Sequence, residues 1–379
     1  MPLKRRTFLN NLGTTTLAGG LPLSLSAPLF AKAPTYSDLS GGLAPEKDYA
    51  LFEKPDNPEM REGVSMWMFE DSGAFGFPRM GIEVVAGRWG DNRFNCNFAL
   101  PQGRVLTGAG YGAVPTPIDA QGKPTIIGAG PVTFQCLEPF KRWKIVYEGS
   151  ALDGTVEQQI SGAFNKGEKQ TPVRLEAEMT MVTPAWVQEF SADTDKMSKE
   201  EAENAEAMGL GYRYEHHFRA TGTLSIDGGS RDFSATGLRI HRQSIRRLEG
   251  FYGHCWLSAL FPDDSAFGML VYPPAQGSDE YSYNDAVIYR NGRQYPARVI
   301  KAPLLSDTVP EGELLEIELE SELGTHRISG RTTLSTFKAN QPELQGLVLQ
   351  QAGALYTWGD QQAYGMVERS YNPEKDGHR

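Results

Sequence analysis

Short β-branched and aromatic runs, each closed off by turn residues, extend along almost the whole chain. Among them are "VSMWMF", "GIEVVAG", "FNCNFAL", "WKIVYEG", "VRLEAEMTMVT", "GTLSIDG", "AFGMLVYP", "DAVIYRNG", "LLEIELESE" and "ALYTWGD". Their spacing is that of an all-β sandwich or barrel, where strands are short and every reversal needs Gly, Pro, Asn or Asp. The 41 glycines and 24 prolines supply those reversals. In "RLEAEMTMV" and "LLEIELESE" polar and apolar residues alternate, so one face enters a core and the other meets solvent or a polar cavity. One stretch departs from the pattern: in "MSKEEAENAEAMGLG", Ser198 as N-cap, Glu201 at the capping-box position and Gly209 as a stop predict one short acidic helix connecting two halves.

The first residues, "MPLKRRTFLNNLGTTTLAGGLPLSLSAPLFAKAP", read as an export signal, with Arg5 and Arg6 ahead of Phe8 and Leu9 in the twin-arginine pattern. The expected partner is the twin-arginine export machinery, and the expected location is periplasmic or secreted. The apolar part is too weak for a stable membrane span, which needs about 20 predominantly apolar residues. Cleavage is expected between Ala27 and Ala33, and removal of residues 1–33 deletes Lys4, Arg5, Arg6 and Lys32 and takes the net charge from −10 to −14. A balance that negative disfavours nucleic acid as a partner. The remaining length exceeds what one hydrophobic core usually serves, so two β domains are expected, over 34–205 and 206–372, with 373–379 as a disordered tail. Cys96, Cys136 and Cys255 lie far apart in strand-like apolar contexts, and no disulfide is assigned.

No nucleophile-elbow, zinc-protease, Walker or EF-hand spacing occurs. Neither a metal nor an organic cofactor is expected. The adjacent His216 and His217 in "YEHHF" point to opposite faces of a strand, one inside and one at the surface, so they do not share a metal site. The dense basic group "RIHRQSIRR" stands out in an acidic chain. From the residues alone three fates stay open for it: surface ion pairs, capture of an anionic ligand group, or burial of His241 and one arginine beside carboxylates in a cavity.

"MREGVSMWMFEDSGAFGFPRMGIEVVAG", "FALPQGRVL", "CLEPFKRWKIVYEG", "GLRIHRQSIRR", "WLSALFPDDSAFGM" and "ALYTWGDQQAYGMVERS" occur in that order. Together they resemble the tandem lipocalin-like proteins grouped with carotenoid 1,2-hydratases (hydroxyneurosporene synthases) and AttH-like proteins. The resemblance implies two antiparallel β-barrel or sandwich domains with a deep apolar cavity, and cofactor-free proton chemistry on an isoprenoid-like alkene. The family's central motif approximates R-D-H-S-W-G-x-R-D-W. Here Arg239, His241 and Arg246 match it, whereas Ile240 and Arg247 replace its two acids and Gln243 and Leu248 its two tryptophans.

Alkene protonation needs an acid in a dry pocket and aromatic faces to stabilise positive charge. The candidates are Glu62, Glu215, His241, Arg246 and Glu368 for catalysis, and Trp67, Asp71, Trp256, Trp358 and Tyr364 for the substrate wall. His241 and Arg246 are expected to line the interdomain cavity, neutralised by Glu215 or Glu368, with Arg242 and Arg247 facing outward. Because strict alternation puts 241 and 246 on opposite faces, a bulge near Gln243 or Ser244 is required. Two functions follow: an exported hydratase or isomerase acting on an apolar isoprenoid- or steroid-like alkene, or a periplasmic carrier that binds such a hydrophobic small molecule unchanged.

Overall fold

A computed structural model describes residues 36–113, 115–164, 169–189, 211–245, 252–274, 277–338 and 346–373. The first part of the chain forms β1 (Met60–Glu70), β2 (Gly76–Val85), β3 (Asn92–Ala99), β4 (Arg104–Gly112), β5 (Ile126–Ala129), β6 (Val132–Glu138), β7 (Arg142–Thr155), β8 (Lys169–Met181), β9 (Trp186–Glu189), β10 (Gly211–Ile226) and β11 (Gly229–Ile245). They make one antiparallel sheet in the order β4-β3-β2-β1-β11-β10-β8-β7-β6-β5, with β9 beside β10. A further pairing of β4 with β7 brings this sheet round on itself.

The second part contributes β12 (Gly253–Leu260), β13 (Ala266–Pro274), β14 (Tyr281–Arg290), β15 (Arg293–Lys301), β16 (Leu314–Ser321), β17 (Gly324–Lys338), β18 (Val348–Trp358) and β19 (Gln361–Tyr371). These strands follow chain order around a closed eight-stranded antiparallel barrel. The all-β, tandem lipocalin-like architecture is therefore as expected. The change of sheet falls between Ile245 and Gly253 rather than at 205/206, because the hairpin β10–β11 is held between β8 and β1 of the first sheet. The expected connecting helix lies outside the described residues. A different short helix, α1 (Val156–Ser161), follows β7, with Thr155 and Gln158 forming its capping box and Gly162 ending it in a left-handed conformation.

Burial patterns separate the strands into two kinds. Along β8 buried and exposed residues alternate, as a barrel wall facing water requires. Every residue of β12, and every residue of β1 from Glu62 onward, is buried. Both faces of these strands are covered, one by the barrel's own core and the other by the neighbouring barrel. On β1, Val64, Met66 and Met68 enter the first core, while Trp67 and Phe69 join Leu238, Trp256 and Leu270 in a cluster between the barrels. The same double cover explains His216 and His217. Both are buried, contrary to the expectation of one at the surface: His216 turns into the first barrel, and His217 meets Ser258 of the second at 2.6 Å.

Each barrel encloses an arginine. Arg239 on β11 is fully buried and reaches Asp48, in the 3-10 turn Pro45–Asp48, with Nη2 2.5 Å from Oδ1. Asp48 also accepts from the Phe140 N–H at 2.5 Å, from Trp143 Nε1 at 2.9 Å and from the Tyr214 hydroxyl. Burial alone would raise the Asp48 carboxyl, but the Arg239 charge and these donors hold it below its ordinary range. In the second barrel Arg369 on β19 is held by Gln350 at 3.0 Å and by the Glu313 carboxylate. A buried charge that loses its partner costs about 3–5 kcal/mol. Asp48→Asn is accordingly expected to lower the unfolding free energy by about that amount in urea titration; a change within the scatter of surface substitutions would contradict the role given to this pair.

Candidate functional site

Two of the buried polar groups contain carboxylates singled out from the sequence, and they differ in how completely their hydrogen-bonding capacity is used. The first lies inside the first barrel and contains two residues singled out from the sequence. Glu62 on β1 and His241 on β11 face each other across neighbouring strands, with Oε1 2.9 Å from Nε2. Glu62 also accepts from Gln243 Nε2 at 3.1 Å and from the Leu51 N–H at 3.1 and 3.0 Å. The other imidazole nitrogen, Nδ1, lies 3.3 Å from the Tyr214 hydroxyl, which belongs to the Asp48–Arg239 group. Both ring nitrogens and both carboxylate oxygens are thus occupied by protein. This arrangement ties the segment around Leu51 to the barrel.

The placement of His241 corrects two expectations. Its partner is Glu62 rather than Glu215 or Glu368, and it faces the interior of the first barrel rather than the space between barrels. The register of β1 against β11 runs unbroken through Ile245, so the bulge expected near Gln243 or Ser244 is absent. Strict alternation then turns Arg242, expected to face outward, into the interbarrel cleft, where its side chain is 12% exposed and 3.8 Å from Glu83. Arg246 and Arg247 lie outside the described residues.

The second group surrounds a cavity of about 40 Å3 between the barrels, lined by Ser65, Trp67, Arg79, Arg213, Arg242, His254, Trp256 and Glu368 with apolar neighbours. Trp67 from β1 and Trp256 from β12 meet edge to face, ring centroids 4.7 Å apart at 70°. Arg79 lies 5.3 Å from the Trp67 ring and Arg213 lies 4.7 Å from the Trp256 ring. Glu368 on β19 accepts from Gln351 Nε2 at 2.6 Å and from Arg79 Nη1 at 3.4 Å. His254 on β12 approaches the same carboxylate with Nε2 at 3.5 Å, and its Nδ1 lies 2.7 Å from the Ser370 hydroxyl. Glu368 and Ser370 share one face of β19, and the register sets them opposite Trp256 and His254. Period-two alternation on each strand and this register together assemble the four side chains.

Glu215, the other predicted carboxylate in this region, sits behind the cavity wall. It takes Arg213 Nη2 at 2.6 Å and Trp256 Nε1 at 3.1 Å. Burial raises its pKa despite the opposing Arg213 charge. Asp285 on β14, not singled out from the sequence, is raised to about 7 by burial and by the negative charge of Glu215. Glu368 shifts the other way: burial would raise it, but the Arg79 charge and the His254 and Gln351 hydrogen bonds hold it at about 2.

The remaining predicted residues do not reach this cavity. Trp358 belongs to the core of the second barrel, 5.6 Å from Phe261 between ring centroids. Asp71 is exposed in the turn after β1. Tyr364 packs against the edge of the interbarrel cluster without lining the cavity. Conversely His254, Arg79 and Arg213 were missed, although His254 and Trp256 share one face of a strand by simple alternation.

The two opposite carboxyl shifts have opposite pH signatures. The folded pKa of Glu368 is depressed, so its contribution is present above its ordinary value of 4.5 and is lost as pH falls toward 2; by linkage this amounts to about 3 kcal/mol. The folded pKa of Asp285 is raised, so its contribution is full below 3.8 and is lost as pH rises through about 7. In denaturant titrations across this range, Glu368→Gln should flatten the acid limb and Asp285→Asn the limb toward neutrality. Limbs as steep as those of the unsubstituted protein would show the shifts to be absent.

Among solved structures the chain is similar to an AttH-like protein of Nitrosomonas europaea, at 14% identity over 89% of this chain and 99% of that one, with a TM-score of 0.50. It is also similar to kievitone hydratase of Nectria haematococca, at 12% identity over 89% and 97% of the two chains and a TM-score of 0.47. CghA with Sch210972 aligns at 13% identity over 83% and 89%, TM-score 0.47. At such identities the likeness concerns the fold. No curated protein sequence matches. The family described as Domain of unknown function (DUF7064) matches residues 45–373, and the chain belongs to that family.

Proposed function

We propose that the interbarrel cleft is an acid–base site that moves a proton on an unsaturated, apolar, isoprenoid- or steroid-like molecule, a hydratase- or isomerase-type reaction carried by side chains. Carotenoid-like alkenes fall within this class. On the strength of the Arg5–Arg6 pattern, we place the reaction after export. One observation carries the reading: the His254 imidazole is held between the Ser370 hydroxyl and the Glu368 carboxylate at the wall of a cavity bounded by two crossed indoles.

The steps follow from that arrangement. On ligand entry the imidazolium turns its Nε2 proton, which otherwise faces Glu368 at 3.5 Å, to one alkene carbon, and the π pair forms the new C–H bond as the N–H bond breaks. Positive charge develops on the other carbon, where the indole faces and the ionised Glu368 stabilise it. Water adds there and returns a proton to the imidazole, or an adjacent carbon loses that proton and the double bond moves. The cavity of about 40 Å3 has room for water. As lined by the described residues it is a small polar recess that does not hold a whole isoprenoid. Substrate entry therefore requires Trp67, Arg79 or Arg242 to change rotamer.

A carrier function finds support in a separate pocket of about 160 Å3 at the first barrel, lined by Leu51, Phe52, Val84, Trp89 and Ile126 with the saturated Glu62. The two readings separate in one experiment. Lipophilic molecules that co-purify with the folded protein are identified by mass spectrometry and incubated with it in heavy water. Deuterium uptake is expected, falling about a hundredfold or more in His254→Ala and Glu368→Gln. Recovery of unlabelled ligand from the unsubstituted protein would instead support the carrier.

A further inference from the structure

The interbarrel cavity is lined by three guanidiniums, Arg79, Arg213 and Arg242, and by one carboxylate, Glu368, while Glu215 and Glu83 meet Arg213 and Arg242 from behind its wall. Two donors at its wall have no partner among the described residues. Trp67 is fully buried, and its Nε1 makes no hydrogen bond. Arg213 is 7% exposed and gives Nη2 to Glu215, yet its Nε is likewise unmatched. An N–H taken out of water without an acceptor is costly, and such groups are rare in folded proteins unless something else fills the site. This differs from the Glu62–His241 group, where every nitrogen and oxygen is occupied.

We infer that the interbarrel cavity receives the carboxylate head of its ligand, with Trp67 Nε1 and Arg213 Nε as the donors that hold it. The size fits. A cavity of about 40 Å3 accepts roughly three water-sized groups, the number of heavy atoms in a carboxylate. So does the chemistry, because a guanidinium N–H and an indole N–H, both unmatched at the wall of one cavity, suit an acceptor with two adjacent oxygens. A hydrocarbon end would leave both donors unmatched and is rejected. The ligand class narrows from an apolar alkene to an unsaturated carboxylic acid whose apolar part extends away from the arginines. This inference shares with the proposed function the use of the cavity as the ligand site and needs no proton transfer there.

The test titrates the protein with 3-methylbut-2-enoate and, separately, with 3-methylbut-2-en-1-ol, at neutral pH, by calorimetry and ligand-observed NMR. The two probes share their carbon skeleton and differ in the head. The acid is expected to bind about tenfold or more tightly than the alcohol. Trp67→Phe keeps an aromatic ring and removes the N–H, and it should weaken the acid about tenfold and the alcohol by less. Arg242→Gln, at the rim and outside both cores, should weaken the acid as well and gives a reading independent of whether the Trp67 variant folds. Equal binding of the two probes, no binding of either, or unaltered acid binding in both variants would overturn the inference. Acid-selective binding without deuterium uptake would leave it standing while removing the catalytic reading; uptake without acid preference would do the reverse.

Discussion

A guanidinium removed from water must meet an opposite charge, and much of this molecule is arranged around that requirement. Arg239 is enclosed by the first barrel and Arg369 by the second, each held by one carboxylate drawn from outside the strand that carries it. Asp48 comes from a turn ahead of β1, and Glu313 from the segment before β16. In both cases the ion pair fastens a non-strand segment to a barrel that its own apolar core would otherwise close without it. Arg213 and Arg79, between the barrels, obey the same rule with Glu215 and Glu368.

What distinguishes the interbarrel group is unmatched donors at a cavity wall; Arg239 inside the first barrel also leaves Nε and Nη1 unmatched, but it does not line that cavity. The Glu62–His241 pair has the composition of a catalytic dyad, but its hydrogen-bonding capacity is spent on Leu51, Gln243 and Tyr214. The interbarrel group has similar ingredients and unused donors at Trp67 and Arg213. A fully satisfied buried network rigidifies; an incompletely satisfied one at a cavity wall invites a ligand. The opposite carboxyl shifts around the cleft, Glu368 down and Asp285 up, mark a place where protonation states are set by neighbours rather than by solvent.

Much of the fold was legible from the sequence because alternation in runs such as "RLEAEMTMV" reports directly on a barrel wall. Strands buried on both faces gave less. In "GHCWLSAL" every residue is buried, and nothing local says which side meets the other barrel. The hairpin β10–β11 was placed in the wrong half because its membership is decided by β1 and β8, which are distant in the chain. Helix α1 announced itself with Thr155 and Gln158 in capping-box spacing, a signal short enough to pass unnoticed beside the longer β pattern. For the site, Glu62, His241, Glu215, Glu368, Trp67 and Trp256 were recognisable as unusual, but their grouping depends on cross-strand register. Asp285 carried a readable sign: an acid on the same strand face as Tyr283, Val287 and Tyr289.

The account stands on where a ligand sits. Diffraction from crystals of the protein with its co-purified small molecule would decide this most directly. The account predicts density in the interbarrel cavity, with an oxygen of the ligand within hydrogen-bonding distance of both Trp67 Nε1 and Arg213 Nε. A molecule seated instead between Phe52 and Trp89 at the first barrel, with only water beside Trp67, would contradict it.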